Sequence, residues 1–250
     1  MTLAHDAAGS GPPVLLLHST VCDRRMWDPQ LPALTDAGYR TVRCDLRGYG
    51  DSPVPQASYS DAEDVVELLD TLGIERTAVV AASGGGRVAL EVAARWPSRV
   101  SALALLCTAM AGHEPGPALR AFGEREDTLL EAGDVGAATE LNVDTWLTPD
   151  ATEATREAVR AMQRNAFVAQ LAGPDVAPIQ AETDLSAITA PALLVSGARD
   201  LVDFRQVAAR LAELLPDARR IELPWAGHLP SIERPEELNA ILIDFLTIDS

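Results

Sequence analysis

The stretch Val79-Val80-Ala81-Ala82-Ser83-Gly84-Gly85-Gly86-Arg87-Val88 limits the folds open to this chain more than any other. An apolar strand runs into a serine flanked by the smallest residues and then directly into a helix-forming segment. So abrupt a bend holds its central residue at strained dihedrals. It leaves no room for bulk two residues before or after, the places of Ala81 and Gly85. A serine presented this way is a candidate nucleophile. A dinucleotide-binding turn competes, because Gly84-x-Gly86-x-x-Ala89 fits its spacing. That turn belongs to the first strand–helix unit and needs an acidic residue ending the next strand. Here two strands come earlier and the next ends in Leu106-Cys107-Thr108, so the cofactor reading is set aside.

Short apolar runs alternate with longer amphipathic ones, the pattern of a mostly parallel sheet flanked by helices. The expected strands are Val14–His18, Arg40–Cys44, Thr77–Ala82, Ser101–Cys107, Ala192–Ser196 and Arg220–Leu223, each apolar enough to be buried on both faces. Helix ends are also marked. Asp28-Pro29 reads as an N-cap with proline at the first helical position, and Gly38 as that helix's stop. Ser60 with Glu63 forms a capping box, and Gly73 closes the helix that follows. Pro235, Glu236 and Glu237 open the last helix. From Gly112 to Asp184 no strand pattern occurs, while Ala118–Glu131, Val135–Leu147 and Ala151–Leu171 read as helices. The expected organisation is a core of residues 1–111 and 185–250 with a helical cap over 112–184.

A serine hydroxyl attacks only when a base removes its proton and a carboxylate orients that base. Asp200 follows the strand Ala192–Ser196 and His228 follows the strand Arg220–Leu223, so both belong at the sheet edge that carries Ser83. Asp203 rivals Asp200, but its spacing to Gln206 makes a capping box and gives it a structural role. His5 lies near the chain start and His113 at the start of the helical insertion. The His18-Ser19-Thr20 loop ends the first expected strand beside Ser83. Its Thr20 N–H and that of Gly84 are the expected donors to an oxyanion, with His18 shaping the loop.

Composition excludes other chemistries. Of 250 residues 37 are acidic and 20 basic, a formal charge of −17 that opposes nucleic acid and anionic membranes. All 20 basic residues are Arg, so no lysine is present for a Schiff base or a phosphate-binding loop. No apolar run approaches the roughly 20 residues of a membrane span, and no signal peptide is visible, so the expected location is the cytoplasm. Cys22, Cys44 and Cys107 are odd in number and widely spaced, as buried thiols in a reducing compartment would be. No histidine has metal-ligand spacing, and neither a metal nor a cofactor is expected. The expected partner is a small-molecule substrate, while the choice between monomer and homodimer stays open.

Taken together, the His18-Ser19 loop, Asp45-Leu46-Arg47-Gly48-Tyr49-Gly50-Asp51-Ser52, the Ser83 bend, Asp200 and His228 resemble the α/β-hydrolase fold family over essentially the whole chain, in its esterase and lactonase branch. Met26-Trp27-Asp28-Pro29-Gln30-Leu31 and the length of the insertion are similar to 3-oxoadipate enol-lactonases. Ser19 and Ala81 stand where the family has glycine. The resemblance implies a cap inserted after the sixth strand of the family's eight, the first being expected to be missing here. It implies Ser83, Asp200 and His228 as a catalytic triad, and Asp45 and Arg47 as scaffold. It also implies hydrolysis through an acyl-enzyme, with a cyclase or acyltransferase, or a ligand-binding protein on the same fold, as rivals. Aspartate-nucleophile dehalogenases and epoxide hydrolases are disfavoured by Ser83. Residues 114–184 carry a net charge of −9, which suits a small neutral ester or lactone. Trp27 and Trp146 are the candidates for the substrate pocket, core packing being the alternative for each. Arg156, Arg160 and Arg164 share a helix face, as an anion clamp or as a solvated surface.

Overall fold

In the computed structural model, which describes residues 3–248, the apolar runs become a seven-stranded sheet. The strands are β1 (His5–Ala8), β2 (Pro13–Leu17), β3 (Arg40–Cys44), β4 (Thr77–Ala82), β5 (Val100–Leu106), β6 (Ala192–Gly197) and β7 (Ala218–Leu223). Their order across the sheet is β1-β3-β2-β4-β5-β6-β7. Every pairing is parallel except the antiparallel one between β1 and β3. The helices are α1 (Gln30–Asp36), α2 (Asp61–Thr71), α3 (Gly84–Arg95), α4 (Pro117–Glu131), α5 (Val135–Trp146), α6 (Glu153–Leu171), α7 (Val202–Leu214), α8 (Pro230–Glu233) and α9 (Pro235–Ile248).

Alternation along each strand divides the core between the two faces of the sheet. Leu15, Leu17, Val79, Ala81, Leu103 and Leu105 pack with Val65, Leu68 and Leu69 of α2, the buried side of α3, and Val207 and Leu211 of α7. Val14, Leu16, Val80, Ala104 and Leu106 pack with Met26, Trp27, Leu34 of α1, and Leu238, Leu242 and Phe245 of α9. Val143 and Trp146 of α5 and Val159 and Met162 of α6 join this second cluster, so the inserted helices share a core with the sheet. They follow β5, the fifth strand counted along the described chain.

Three local expectations are corrected. The sequence reading missed β1, a half-exposed edge strand. Its Asp6 carboxylate accepts Arg24 Nε and Arg43 Nε at 3.0 and 3.1 Å, so ion pairing and the β3 ladder fix it rather than apolar burial. β7 is not buried on both faces: Arg219, Arg220 and Glu222 are partly or fully exposed on this opposite edge strand. Asp28 does not cap α1, because its carboxylate pairs with Arg43 and the helix starts at Gln30 with no side-chain cap. The capping box is half met: Ser60 Oγ accepts the Glu63 N–H at 3.3 Å, but the Glu63 carboxylate pairs with Arg95 at 2.8 Å. The other signals are met: α9 starts at Pro235, and Gly38 and Gly73 end α1 and α2 with φ of 93° and 65°.

Because β2 and β4 to β7 run parallel, their C-terminal ends share one edge. The segments bearing Thr20, Ser83, Cys107, Asp200 and His228 therefore meet there. The scaffold below is held by Asp45, whose fully buried carboxylate accepts the N–H groups of Arg24 and Asp51 at 2.7 and 2.9 Å and pairs with the Arg24 guanidinium. Arg47 makes a two-pronged pair with Asp64, at 2.5 Å on each prong.

Candidate active site

Ser83 joins β4 to α3 with φ 49° and ψ −117°, where side chains other than glycine rarely go. Its surroundings fix it in that conformation. The Ser83 N–H donates to Leu106 O at 3.0 Å, and its carbonyl accepts the N–H groups of Gly86 and Ala109 at 2.9 and 3.0 Å. A Cβ on Gly85 would lie 2.8 Å from Leu17 O and closer still to His18 O, so only glycine lets α3 start against the end of β2. A Cβ on Gly84 would meet Thr20 Cγ2 at 2.5 Å, which places Thr20 directly on the start of α3.

Backbone N–H groups from two segments, those of Gly84 and Thr20 among them, are free for a ligand at this junction. Gly84 is the first residue of α3, so its N–H has no intrahelical acceptor. In the neighbouring loop the N–H groups of Ser19, Val21 and Cys22 are directed to Met26 Sδ, Ser19 Oγ and Ser19 O. Among the described residues the Thr20 N–H has no such acceptor. His18 shapes this loop as expected. Its Nδ1–H donates to Ser19 O at 2.8 Å while Nε2 accepts the Leu46 N–H at 2.9 Å. Complete burial lowers its pKa and keeps it neutral.

On the same edge, Asp200 Oδ2 accepts His228 Nδ1–H at 2.8 Å, and Oδ1 accepts the Leu201 N–H at 2.7 Å. Both side chains are about 1–2% exposed. The imidazole packs against Trp146 and Phe204, with ring centroids 4.5 and 4.2 Å away. The His228 N–H donates to Trp146 O at 3.1 Å. Glu233 of α8 adds a clamp that the sequence reading did not find: one oxygen accepts the Gly227 N–H at 2.7 Å, the other the Thr148 N–H at 2.6 Å. Its sequence signal is only a carboxylate five residues after His228.

Cys107 also sits here, with φ 44° and with its sulfur in a group whose ligand atoms, with those of Asp200 and His228, lie within 4.8 Å of one another. No chain spacing announced this cluster. Burial and the Asp200 carboxylate push the thiol well above its ordinary pKa, so it is a neutral neighbour of the pair. Cys22, Cys44 and Cys107 are all free and buried, as read from their spacing.

Ser83, Gly84, Thr20 and His228 line one cavity of about 480 Å³, and among the described residues no direct hydrogen bond joins Ser83 to His228. Trp146 lines it too, as the sequence suggested. Trp27 does not: it is completely buried in the core cluster beside Met26 and Leu34, which corrects its assignment to the pocket. The sequence reading missed Arg87, Glu126 and Gln163 as cavity walls, because each comes from a different helix and none carries a motif. A second cleft of about 590 Å³ shares Tyr49, Glu126, Phe167 and Gln170 with this cavity.

The remaining candidates lie outside. Asp203 does not cap α7. Its Oδ1 accepts the Gly116 N–H at 2.6 Å and His113 Nε2–H at 3.0 Å, tying the segment before α4 to α7. Arg156 pairs with Asp144 at 3.1 Å and Arg160 with Glu140 at 2.5 Å on the solvent side. None of Arg156, Arg160 and Arg164 lines the cavity.

A strained serine between strand and helix, sharing a cavity with a carboxylate-held imidazole at the C-terminal edge of a mostly parallel sheet, defines the α/β-hydrolase class. Residues 12–235 match the model of the alpha/beta hydrolase fold family, and the chain belongs to that family. It is 31% identical over 240 residues to a putative carbamate hydrolase, RutD, of Caulobacter sp. (strain K31), covering 88% of this chain and 85% of that protein. Among solved structures it resembles a hydrolase from Pseudomonas aeruginosa PA01, at 32% identity and a TM-score of 0.79, over 98% of this chain and 94% of that one. It also resembles the enol-lactonase from Burkholderia xenovorans LB400, at 28% identity and a TM-score of 0.81, over 98% and 96%. The resemblance to the esterase and lactonase branch is thereby borne out. No helix among the described residues is long and apolar enough to cross a membrane.

Proposed function

We propose that the chain is a serine hydrolase that cleaves a small neutral carboxylic ester or lactone through an acyl-enzyme on Ser83. The observation that carries this reading is the Ser83 backbone at φ 49°, in a cavity shared with an imidazole already held by Asp200 at 2.8 Å. Strain at a non-glycine residue persists only where the surroundings enforce it, and here they aim a hydroxyl into a cavity.

The steps follow from the geometry. Ser83 Oγ attacks the substrate carbonyl while His228 Nε2 takes its proton, closing a contact that tightens as substrate binds. Asp200 keeps the proton of His228 on Nδ1 and stabilises the imidazolium. The N–H groups of Thr20 and Gly84 take the oxyanion, and the positive end of α3 adds to their field. The protonated imidazole hands its proton to the departing alcohol, or to the ring oxygen of a lactone, and water then repeats the sequence on the acyl group. A carbamate, the substrate class in the name of the Caulobacter relative, would pass through the same steps.

Charge supports a neutral substrate. Arg87 and Glu126 are the charged residues lining the cavity, and they balance when the acid is ionised. Helices α4 to α6, within residues 112–184, then act as a lid that shapes the acyl and leaving-group spaces.

The test is labelling with a fluorophosphonate probe followed by a screen of neutral esters, aliphatic lactones and enol-lactones. Wild type should label and turn over at least one of these classes. Ser83→Ala should do neither, and His228→Ala should lose about 10⁴–10⁶-fold in kcat while remaining folded. A wild type that neither labels nor hydrolyses any of them refutes the proposal.

A further inference from the structure

Gln163 stands out on the cavity wall. It lies on the inward face of α6, where Val159, Met162, Ala166 and Phe167 are buried and apolar, and it is itself only 4% exposed. Its Oε1 is sealed from solvent and has no hydrogen-bond partner, and among the described residues its Nε2 makes no hydrogen bond either. The other polar walls differ. Asn142 donates to Glu126 at 2.5 Å and to Ala138 O at 3.0 Å, and accepts Trp146 Nε1–H at 2.9 Å. Gln170 donates to Gly48 O at 3.2 Å.

Buried polar groups in native proteins are almost always paired, and Gln163 lines the cavity with its Nε2 unbonded and not among the sealed atoms, so that end of the amide points to a partner that arrives with the ligand. Leucine or methionine would fill the same helix position without the desolvation penalty. With the acceptor sealed off, Nε2 offers its two donors to the cavity, which suits the oxygen of a hydroxyl or of another amide. A neutral group fits the walls, because the charges of Arg87 and Glu126 in the same cavity balance. Building on the hydrolase reading above, we infer that Gln163 is a specificity residue and that the substrate carries a neutral hydrogen-bonding group, a hydroxyl or an amide, apart from the carbonyl that reacts.

Two isosteric pairs test this and locate the group. On the acyl side the pair is p-nitrophenyl 3-hydroxybutyrate against p-nitrophenyl 3-methylbutyrate; on the alcohol side it is 2-hydroxyethyl butyrate against propyl butyrate. Wild type should favour the hydroxyl member of one pair by about tenfold or more in kcat/KM, chiefly through KM. In Gln163→Leu and Gln163→Met, two variants of which at least one should fold, that ratio should fall close to one. A ratio near one for both pairs in wild type, or an unchanged ratio in the folded variants, overturns the assignment. A binding arm separates this from the hydrolase reading. Thermal shift of Ser83→Ala with 4-hydroxypentan-2-one against 4-methylpentan-2-one should favour the hydroxyketone, and the preference should vanish in Ser83→Ala/Gln163→Met. Absence of turnover on every ester with that preference intact removes the hydrolase reading and leaves Gln163 a ligand-binding residue. Equal shifts from the two ketones overturn an acyl-side assignment, and together with a ratio near one for the alcohol pair they overturn the whole inference.

Discussion

Adding one methyl group to Gly85 should disable the active site without touching any reacting group. The new Cβ would stand 2.8 Å from Leu17 O and 2.9 Å from Leu17 C, and nearer still to His18 O, all of them backbone atoms that no rotamer change can clear. Restoring ordinary contact requires α3 to retreat from the end of β2 by roughly 0.6–1 Å, with an overpacking cost of about 1–3 kcal/mol. Ser83 and Gly84 ride on that helix start, whereas Thr20 rides on the loop after β2, so the shift pulls the two N–H donors apart. A misplacement near 1 Å can cost about 10²-fold in rate. Gly85→Ala is therefore expected to lower kcat by about two orders of magnitude and the melting temperature by several degrees, about 2–4 °C per kcal/mol for a chain of this length. The control is Gly123→Ala in α4, where a Cβ meets nothing within 4 Å. That change should stabilise by about 0.5–1 kcal/mol through helix propensity. The assay is ester turnover, probe labelling and thermal denaturation on the same preparations. Wild-type kcat in Gly85→Ala would show that the close approach of helix and strand does not set the position of Ser83.

Two further outcomes follow from strain and burial. Ser83→Gly and Ser83→Ala should both be inactive, but glycine relieves the φ of 49° and alanine does not, so the glycine variant should be about 1 kcal/mol the more stable; equal melting temperatures would remove the strain. Burial raises the Asp61 pKa to about 6 despite Arg87 at 3.8 Å, so the proton is held more tightly in the folded state than in the unfolded one. Its stabilising contribution is complete below about pH 4 and disappears as pH rises through 6. Asp61→Asn should therefore melt above wild type at pH 8, by on the order of 2 kcal/mol, with the gap closing towards pH 4; a gap independent of pH contradicts the assignment.

What could be read from sequence depended on how local the cause was. The central strands were legible because parallel strands buried on both faces are apolar throughout, as Thr77–Ala82 is. Ser83 and Asp200 were legible because each follows such a strand and His228 because it follows the last strand, and parallel topology sends all three to one edge. The edge strands were misread for the complementary reason. His5–Ala8 is held by ladder bonds and the Asp6 ion pairs, and β7 carries exposed arginines on a face that solvent covers. Asp28 and Asp203 each carried a valid local capping pattern, but long-range partners, Arg43 and the His113–Gly116 segment, claimed their carboxylates. Trp27 and Trp146 are equally bulky and lie near the same edge, so only the tertiary packing separates core from cavity. Gln163 was invisible because its distinguishing property is a missing partner.

The tie between the inserted helices and the histidine loop bears on any attempt to retune this protein by exchanging its roof for a relative's. Trp146 O, Thr148 N and the indole ring of Trp146 all leave with the transplanted segment, and with them an acceptor and a ring contact for His228 and half of the anchorage of Glu233. A chimera grafted between Gly112 and Asp184 would thus slacken the seat of His228 as well as reshape the chamber. Its turnover would fall even on compounds that fit the new walls, unless the donor brought an equivalent tryptophan carbonyl to the same place.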